Sequence, residues 1–181
     1  FDCNNLLFYN PGEPGGLAAT ARNIKVNGDF RLGIDSLPGT ALAINHTITR
    51  NTGNGQFRMG EKDNLNITHS SNTTQQAING FAAPWFKGTV TYSGDNKQTL
   101  VKGTYQNLII SGAGERNIRE KVNLKGILRM ESGTLLTNDS LTLKSDSANT
   151  ALISHKGTGA LSGKVEIERF IHGSGEQEIL F

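Results

Sequence analysis

The sequence predicts an all-β chain folded as a β-solenoid, a right-handed parallel β-helix-like stack of short strands, with a β-sandwich as the alternative. Three observations carry this expectation. Between Gly88 and Met130 short alternations of apolar and polar residues recur, each closed by Gly, Asn or Ser. That period of two buries one face of a strand and wets the other. Glycine occurs 22 times in 181 residues, amid abundant Asn, Ser and Thr. Such a mixture weakens helices, because Gly loosens their interiors and Asn and Ser compete for the backbone hydrogen bonds. Leu124, Leu143 and Ile167 return at intervals of roughly 20 to 25 residues, the length of one solenoid coil. At that spacing the chain holds about seven to nine coils, a rod of roughly 35 to 40 Å at the separation of stacked strands.

Taken in order, Phe1–Thr20 offers one apolar run, Leu6-Leu7-Phe8-Tyr9, then Pro11, Gly12, Pro14, Gly15 and Gly16, which break regular structure. It reads as an edge or capping strand entering a turn. Next, Ile24, Val26, Phe30 and Leu32 share one face about Gly28. Val122, Leu124, Leu128 and Met130 repeat the pattern about Gly126, with Arg129 standing where Arg31 does. A glycine inside such a run marks a bend between strands. The stretch from Leu37 to Ser71 alternates more weakly, and Ser70–Gln76 is a polar loop. Val90 with Tyr92 and Leu108 with Ile110 then point inward. After Met130 the rhythm continues through Leu135-Leu136, Leu141–Leu143, Leu152-Ile153, Leu161 and Val165–Ile167. No single strand can bury its apolar face alone; stacked on neighbours, each can. The expected organisation is one β-rich repeat domain over 1–181, less regular over 1–80 and regular over 81–181. Phe1 at the start and the apolar Glu178-Ile-Leu-Phe181 at the finish read as a segment of a larger protein.

Composition bounds the function. Eighteen Lys and Arg against 16 Asp and Glu leave a net charge of +2, with the basic residues scattered along the chain. Nucleic-acid binding calls for a concentrated basic stripe, so none is expected. No apolar run reaches the length of a membrane-spanning helix, and no signal peptide opens the chain, so no membrane insertion is expected. The single cysteine, Cys3, cannot form a disulfide within the chain and reads as a buried free thiol or a bridge to another part of the protein.

Phe81, Trp85 and Phe86 are the candidate carbohydrate-binding residues, because exposed aromatics offer flat platforms to sugar rings; the competing role is sealing the core. Glu166 and Glu168 share the outer face of one strand. Paired carboxylates there suit acid and base work in a polysaccharide lyase or Ca²⁺ binding, against a solvated face compensated by Lys164 and Arg169. His46, His69, His155 and His172 show no metal-ligand spacing, so no metal and no cofactor is expected. The Gly-rich Gly157–Gly163 lacks the strand-to-helix setting of a nucleotide loop. Asn45, Asn66, Asn72 and Asn138 form N-x-Ser/Thr sequons, which this composition generates freely.

The series Gly88–Gly94, Gly103–Gly112 and Val122–Leu128, with Gly163-Lys-Val-Glu-Ile-Glu-Arg-Phe-Ile171, resembles a repeat of large Bacteroidota cell-surface proteins. The resemblance covers residues 81–171 well and 1–80 loosely. It implies a strand-rich stalk exported by the type IX secretion system, of adhesin or gliding-associated type, and no catalytic residue. The expected partners are other domains of the same long chain, surface glycans or secretion machinery. Three of the seven aspartates stand in Asp-Ser-apolar triplets. In that setting Ser36, Ser140 and Ser147 are candidate O-glycosylation acceptors; the other reading is an Asp that caps a turn. The expectation is therefore a non-catalytic extracellular structural or adhesive module. A carbohydrate-binding or lyase-like β-helix is the alternative, and a partner-docking module that needs flanking domains is a third.

Overall fold

The computed structural model describes residues 2–3, 6–8, 16–19, 24–27, 29–33, 40–44, 46–50, 55–70, 76–82, 84–155 and 157–171. Among them every regular element is a strand and none is a helix. The strands come in successive coils. The first holds β1 (Asp2–Cys3), β2 (Leu6–Phe8) and β3 (Gly16–Ala19). The second holds β4 (Ile24–Val26), β5 (Phe30–Leu32) and β6 (Ala41–Ile44). The third holds β7 (Ile48–Arg50), β8 (Phe57–Met59) and β9 (Asn64–Ile67). The fourth joins β10 (Ile78–Asn79) to the long β11 (Trp85–Tyr92), and the fifth joins β12 (Gln98–Thr99) to β13 (Gly103–Ile110). The sixth has β14 (Glu115–Asn117), β15 (Val122–Leu124) and β16 (Ile127–Met130). The seventh has β17 (Thr134–Leu136), β18 (Leu141–Leu143) and β19 (Leu152–His155), followed by β20 (Ala160–Ser162) and β21 (Val165–Ile167).

Each strand pairs in parallel with its counterpart one coil away. The order β2-β5-β8-β11-β13-β15-β18-β21 makes one face, and β3-β6-β9-β11-β13-β16-β19 makes a second. Strands β11 and β13 are long enough to serve both. The third face is split into β1-β4-β7-β10 and β12-β14-β17-β20. An antiparallel sandwich is thereby replaced by a parallel, solenoid-like stack; the only antiparallel contact among the described residues is the Ser145–Thr150 bridge.

Where β10 and β12 fail to pair, side-chain amides take over. Gln76 donates from Nε2 to the Leu100 carbonyl at 3.0 Å. Gln98 donates to the carbonyls of Ile67 and His69, both at 2.9 Å, and its Oε1 accepts from Gly94 N. Both amides are buried, and both carry hydrogen bonds between coils that a ladder would otherwise supply.

In-register stacking turns the alternation in sequence into columns inside the molecule. Leu42, Leu65, Val90, Leu108 and Leu128 form one, and Ile44, Ile67, Tyr92, Ile110 and Met130 another. A third runs through Leu32, Met59, Phe86, Tyr105, Leu124 and Leu143. All of these residues are buried, and each large aliphatic or aromatic side chain so enclosed is worth roughly 1.5–3 kcal/mol over an exposed one. Aromatic rings pass this column at stacking distance: Phe30 on Phe57 at 4.9 Å and Phe86 on Tyr105 at 4.6 Å.

Residues 24–32 and 122–130 do share a pattern, yet they occupy different corners. The first passes from the third face to the first (β4 to β5), the second from the first face to the second (β15 to β16). Their likeness reflects the common demand of a corner between two inward-facing strands.

Candidate functional site

The alternation that buries one set of side chains displays the other. On the outward side of the first face, the register aligns Leu7, Arg31, Arg58, Trp85, Thr104, Asn123, Thr142 and Glu166 in one row, one residue per coil, with Thr142 itself buried. Beside it, Lys125, Lys144 and Glu168 continue the strands one residue past Leu124, Leu143 and Ile167, their amides bonding the coil before. In β11 the register slips between Phe86 and Thr89. Gly88 allows this, since a Cβ there would overlap the Asp63 carbonyl oxygen. The slip leaves Lys87 beside Trp85, with Nζ 4.7 Å from the indole centroid; Lys125 Nζ reaches back to 5.8 Å.

Around Trp85 the surface sinks into a groove of about 440 Å³. Its floor includes Phe57, Met59 and Gly60, and its walls carry Arg31, Arg58, Trp85 and Lys87. Trp85 is 46% exposed. Among the described residues no carboxylate pairs with Arg58 or Lys87, whereas Lys125 meets Asp146 at 3.4 Å. The groove therefore combines one flat aromatic surface with several cations, next to a row of hydroxyl and amide side chains.

The three aromatics named from the sequence divide. Phe81 and Phe86 are 3% and 0% exposed. Phe86 stacks on Tyr105, and Phe81 meets Phe57 edge-on at 5.9 Å. Burial removes both from any sugar platform and assigns them to the core; Trp85 alone faces outward. The signal was present in the sequence. Phe86 is in phase with Val90 and Tyr92, and Trp85 is out of phase with them.

The remaining candidates fall as follows. Ser36 and the side chain of Cys3 lie outside the described residues. Ser140 follows Asn138 and Asp139, both at positive φ (47° and 56°), and its Oγ donates to the Asn138 carbonyl. Asp139 accepts from the Lys164 amide, so it ties one coil's turn to the next. Ser147 is exposed beside Asp146, whose Oδ1 accepts from the amides of Ala148 and Asn149, both at 2.9 Å. These backbone bonds, with Lys125, hold the Asp146 carboxyl below its ordinary pKa. Asp146 thus caps its own turn, whereas Asp139 bonds the backbone of the next coil, and both serines sit at turns. Glu166 accepts from Thr142 Oγ1 at 2.8 Å, and Glu168 pairs with Lys144. Each carboxylate is engaged with the preceding coil. Among the described residues no three His, Cys, Asp or Glu side chains form a metal-binding group.

Sequence reasoning missed Asp63, Gln98 and Arg116, all buried and polar. They serve backbone groups of neighbouring turns, which no side-chain pattern reveals. No protein-family model, no curated protein and no solved structure matches this chain.

Proposed function

We propose that this chain is a non-catalytic structural and adhesive module of a secreted bacterial surface protein, working outside the cell and exported by a type IX-like route. The observation that carries this reading is the stack of parallel coils, joined in register and filled by continuous apolar columns. Such a body is stiff along its axis, because bending it would break ladder hydrogen bonds and open the core together. Its outer faces repeat side chains at about 4.8 Å, a regular surface for contact. The compartment is proposed on the strength of the sequence resemblance of residues 81–171 to Bacteroidota surface repeats.

A second reading, a carbohydrate-binding β-helix, is favoured by the groove at Trp85. Its lyase-like form is less well supported, since Glu166 and Glu168 are occupied by Thr142 and Lys144. One assay tests the choice. The purified chain, incubated with polygalacturonate or alginate, is expected to leave chain length and unsaturated ends unchanged. Turnover that disappears in Glu166→Gln or Glu168→Gln would overturn the non-catalytic reading. The compartment is checked by protease shaving of intact source cells, which is expected to release fragments of this chain; complete protection would contradict a surface location.

A further inference from the structure

We infer that the groove at Trp85 binds an acidic polysaccharide of the uronate type. This deepens the adhesive reading and rests on it. Three features of the outer face converge on that chemistry. Trp85 presents an exposed indole on an otherwise polar strand surface, and the axial C–H bonds of a pyranose ring pack against such a face. Arg58 lies next to Trp85 in the register, with Arg31 one coil further, and Lys87 and Lys125 bring ammonium groups to the ring. A guanidinium matches a carboxylate with two parallel hydrogen bonds, and a lysine on its flexible stem swings aside as a sugar ring settles. The same row then continues as Thr104, whose hydroxyl bonds sugar hydroxyls in both directions, and Asn123, whose Oδ1 is buried and whose NH2 group is left to donate.

The spacing also fits. Neighbouring coils stand about 4.8 Å apart, close to the length of one sugar unit in an extended chain. A polymer lying along the row meets guanidinium, indole, hydroxyl and amide in turn. Single-stranded nucleic acid would share the cations and the stacking. Sites for it string several aromatics along a channel, however, and this face carries one. Towards the other end Glu166 puts a negative charge into the row itself, which disfavours extension of a polyanion past Thr142, while Glu168 is neutralised by Lys144. Ion pairs at this exposed site are screened by salt, so the affinity falls as ionic strength rises.

The test compares polygalacturonate with neutral dextran of similar length, by calorimetry and affinity electrophoresis on the intact chain. Binding to polygalacturonate but not to dextran is expected, weakened at least tenfold in Trp85→Ala and in the double variant Arg58→Ala/Lys87→Ala. All three side chains lie on the outward side of the first face, so circular dichroism and urea midpoints should stay at the parent values. Equal retention of both polymers, or unchanged affinity in the variants, would overturn the inference and leave the adhesive reading standing. Tighter binding to oligothymidylate than to polygalacturonate would also overturn it, in favour of a nucleic acid. Trp85-dependent binding accompanied by shortening of the polymer would uphold the groove and end the non-catalytic reading.

Discussion

At the scale of single residues, the stack depends on buried polar groups that serve the backbone. Arg116 is fully enclosed. It donates to the carbonyls of Ser111, Gly112 and Gly114 in the turn between β13 and β14, and to Tyr92 and Gly94 in the stacked turn that follows β11. Burial lowers its pKa, opposed by Asp95, but a guanidinium remains charged at any ordinary pH. Arg116→Met is expected to cost about 2–4 kcal/mol, because the carbonyls lose their donors while staying buried. Arg116→Lys should recover less than half of that in urea denaturation.

Tyr92 and Tyr105 form the second such device. Their hydroxyls stand 3.1 Å apart; Tyr92 accepts from the Val101 amide, and Tyr105 donates to the Val101 carbonyl. Burial pushes the Tyr92 pKa up to about 12, against hydrogen bonds from Tyr105 and Val101, and raises Tyr105 well above its usual value. Between pH 10 and pH 12 the unfolded chain releases protons that the folded chain keeps, so stability falls as pH rises through that window. It is fully present below pH 10. The unfolding free energy from urea titrations should be level up to the tyrosine pKa and then drop by ~1.4 kcal/mol per pH unit for each tyrosine. Tyr105→Phe should flatten the slope to about half; an unaltered slope would refute the assignment.

At the scale of elements, corners are where the chain is most constrained. Gly103 opens β13 at a φ of 141°, and an added Cβ would overlap the Pro84 carbonyl oxygen. Gly103→Ala is expected to lose about 1–3 kcal/mol, read as a lower melting temperature. At the corner before β9, the buried Asp63 accepts from Thr40 N at 2.8 Å and Gly60 N at 2.7 Å. Asp63→Asn keeps one acceptor for two donors and should cost about 1–3 kcal/mol.

The strands themselves were the legible part of this chain. Where one face is buried and the other wet, as in Val90/Tyr92 against Thr89/Thr91, alternation alone assigns every side chain. The third face was nearly silent, because strands as short as Ile78–Asn79 and Gln98–Thr99 carry too few residues to show a period. The groove was half legible. An aromatic residue reads the same on a surface as in a core, and only its phase relative to Val90 separates Trp85 from Phe86. The flanking cations come from coils far apart in sequence, Arg31, Arg58, Lys87 and Lys125, and only the register brings them together.

At the scale of the molecule, inner columns and outer rows are one phenomenon. A parallel stack in register repeats each side chain's surroundings one coil on, so the inside selects apolar columns and the outside accumulates rows of like or complementary groups. Lys97–Glu115 and Lys102–Glu120 join neighbouring coils on this outer surface. Being exposed, each contributes at most about 1 kcal/mol. Stability resides in the columns, and the recognition chemistry in the rows.

The register is the central claim, and paired cysteines test it most directly. In a Cys3→Ser background, Thr104→Cys with Asn123→Cys places two thiols on adjacent coils of one row, within the Cα separation of roughly 4.4–6.8 Å that a disulfide spans. Mild oxidation should join them within the chain. Thr104→Cys with Glu166→Cys, three coils apart at about 14 Å, should stay reduced. Failure of the first pair to close, or ready closure of the second, would contradict the parallel in-register stack.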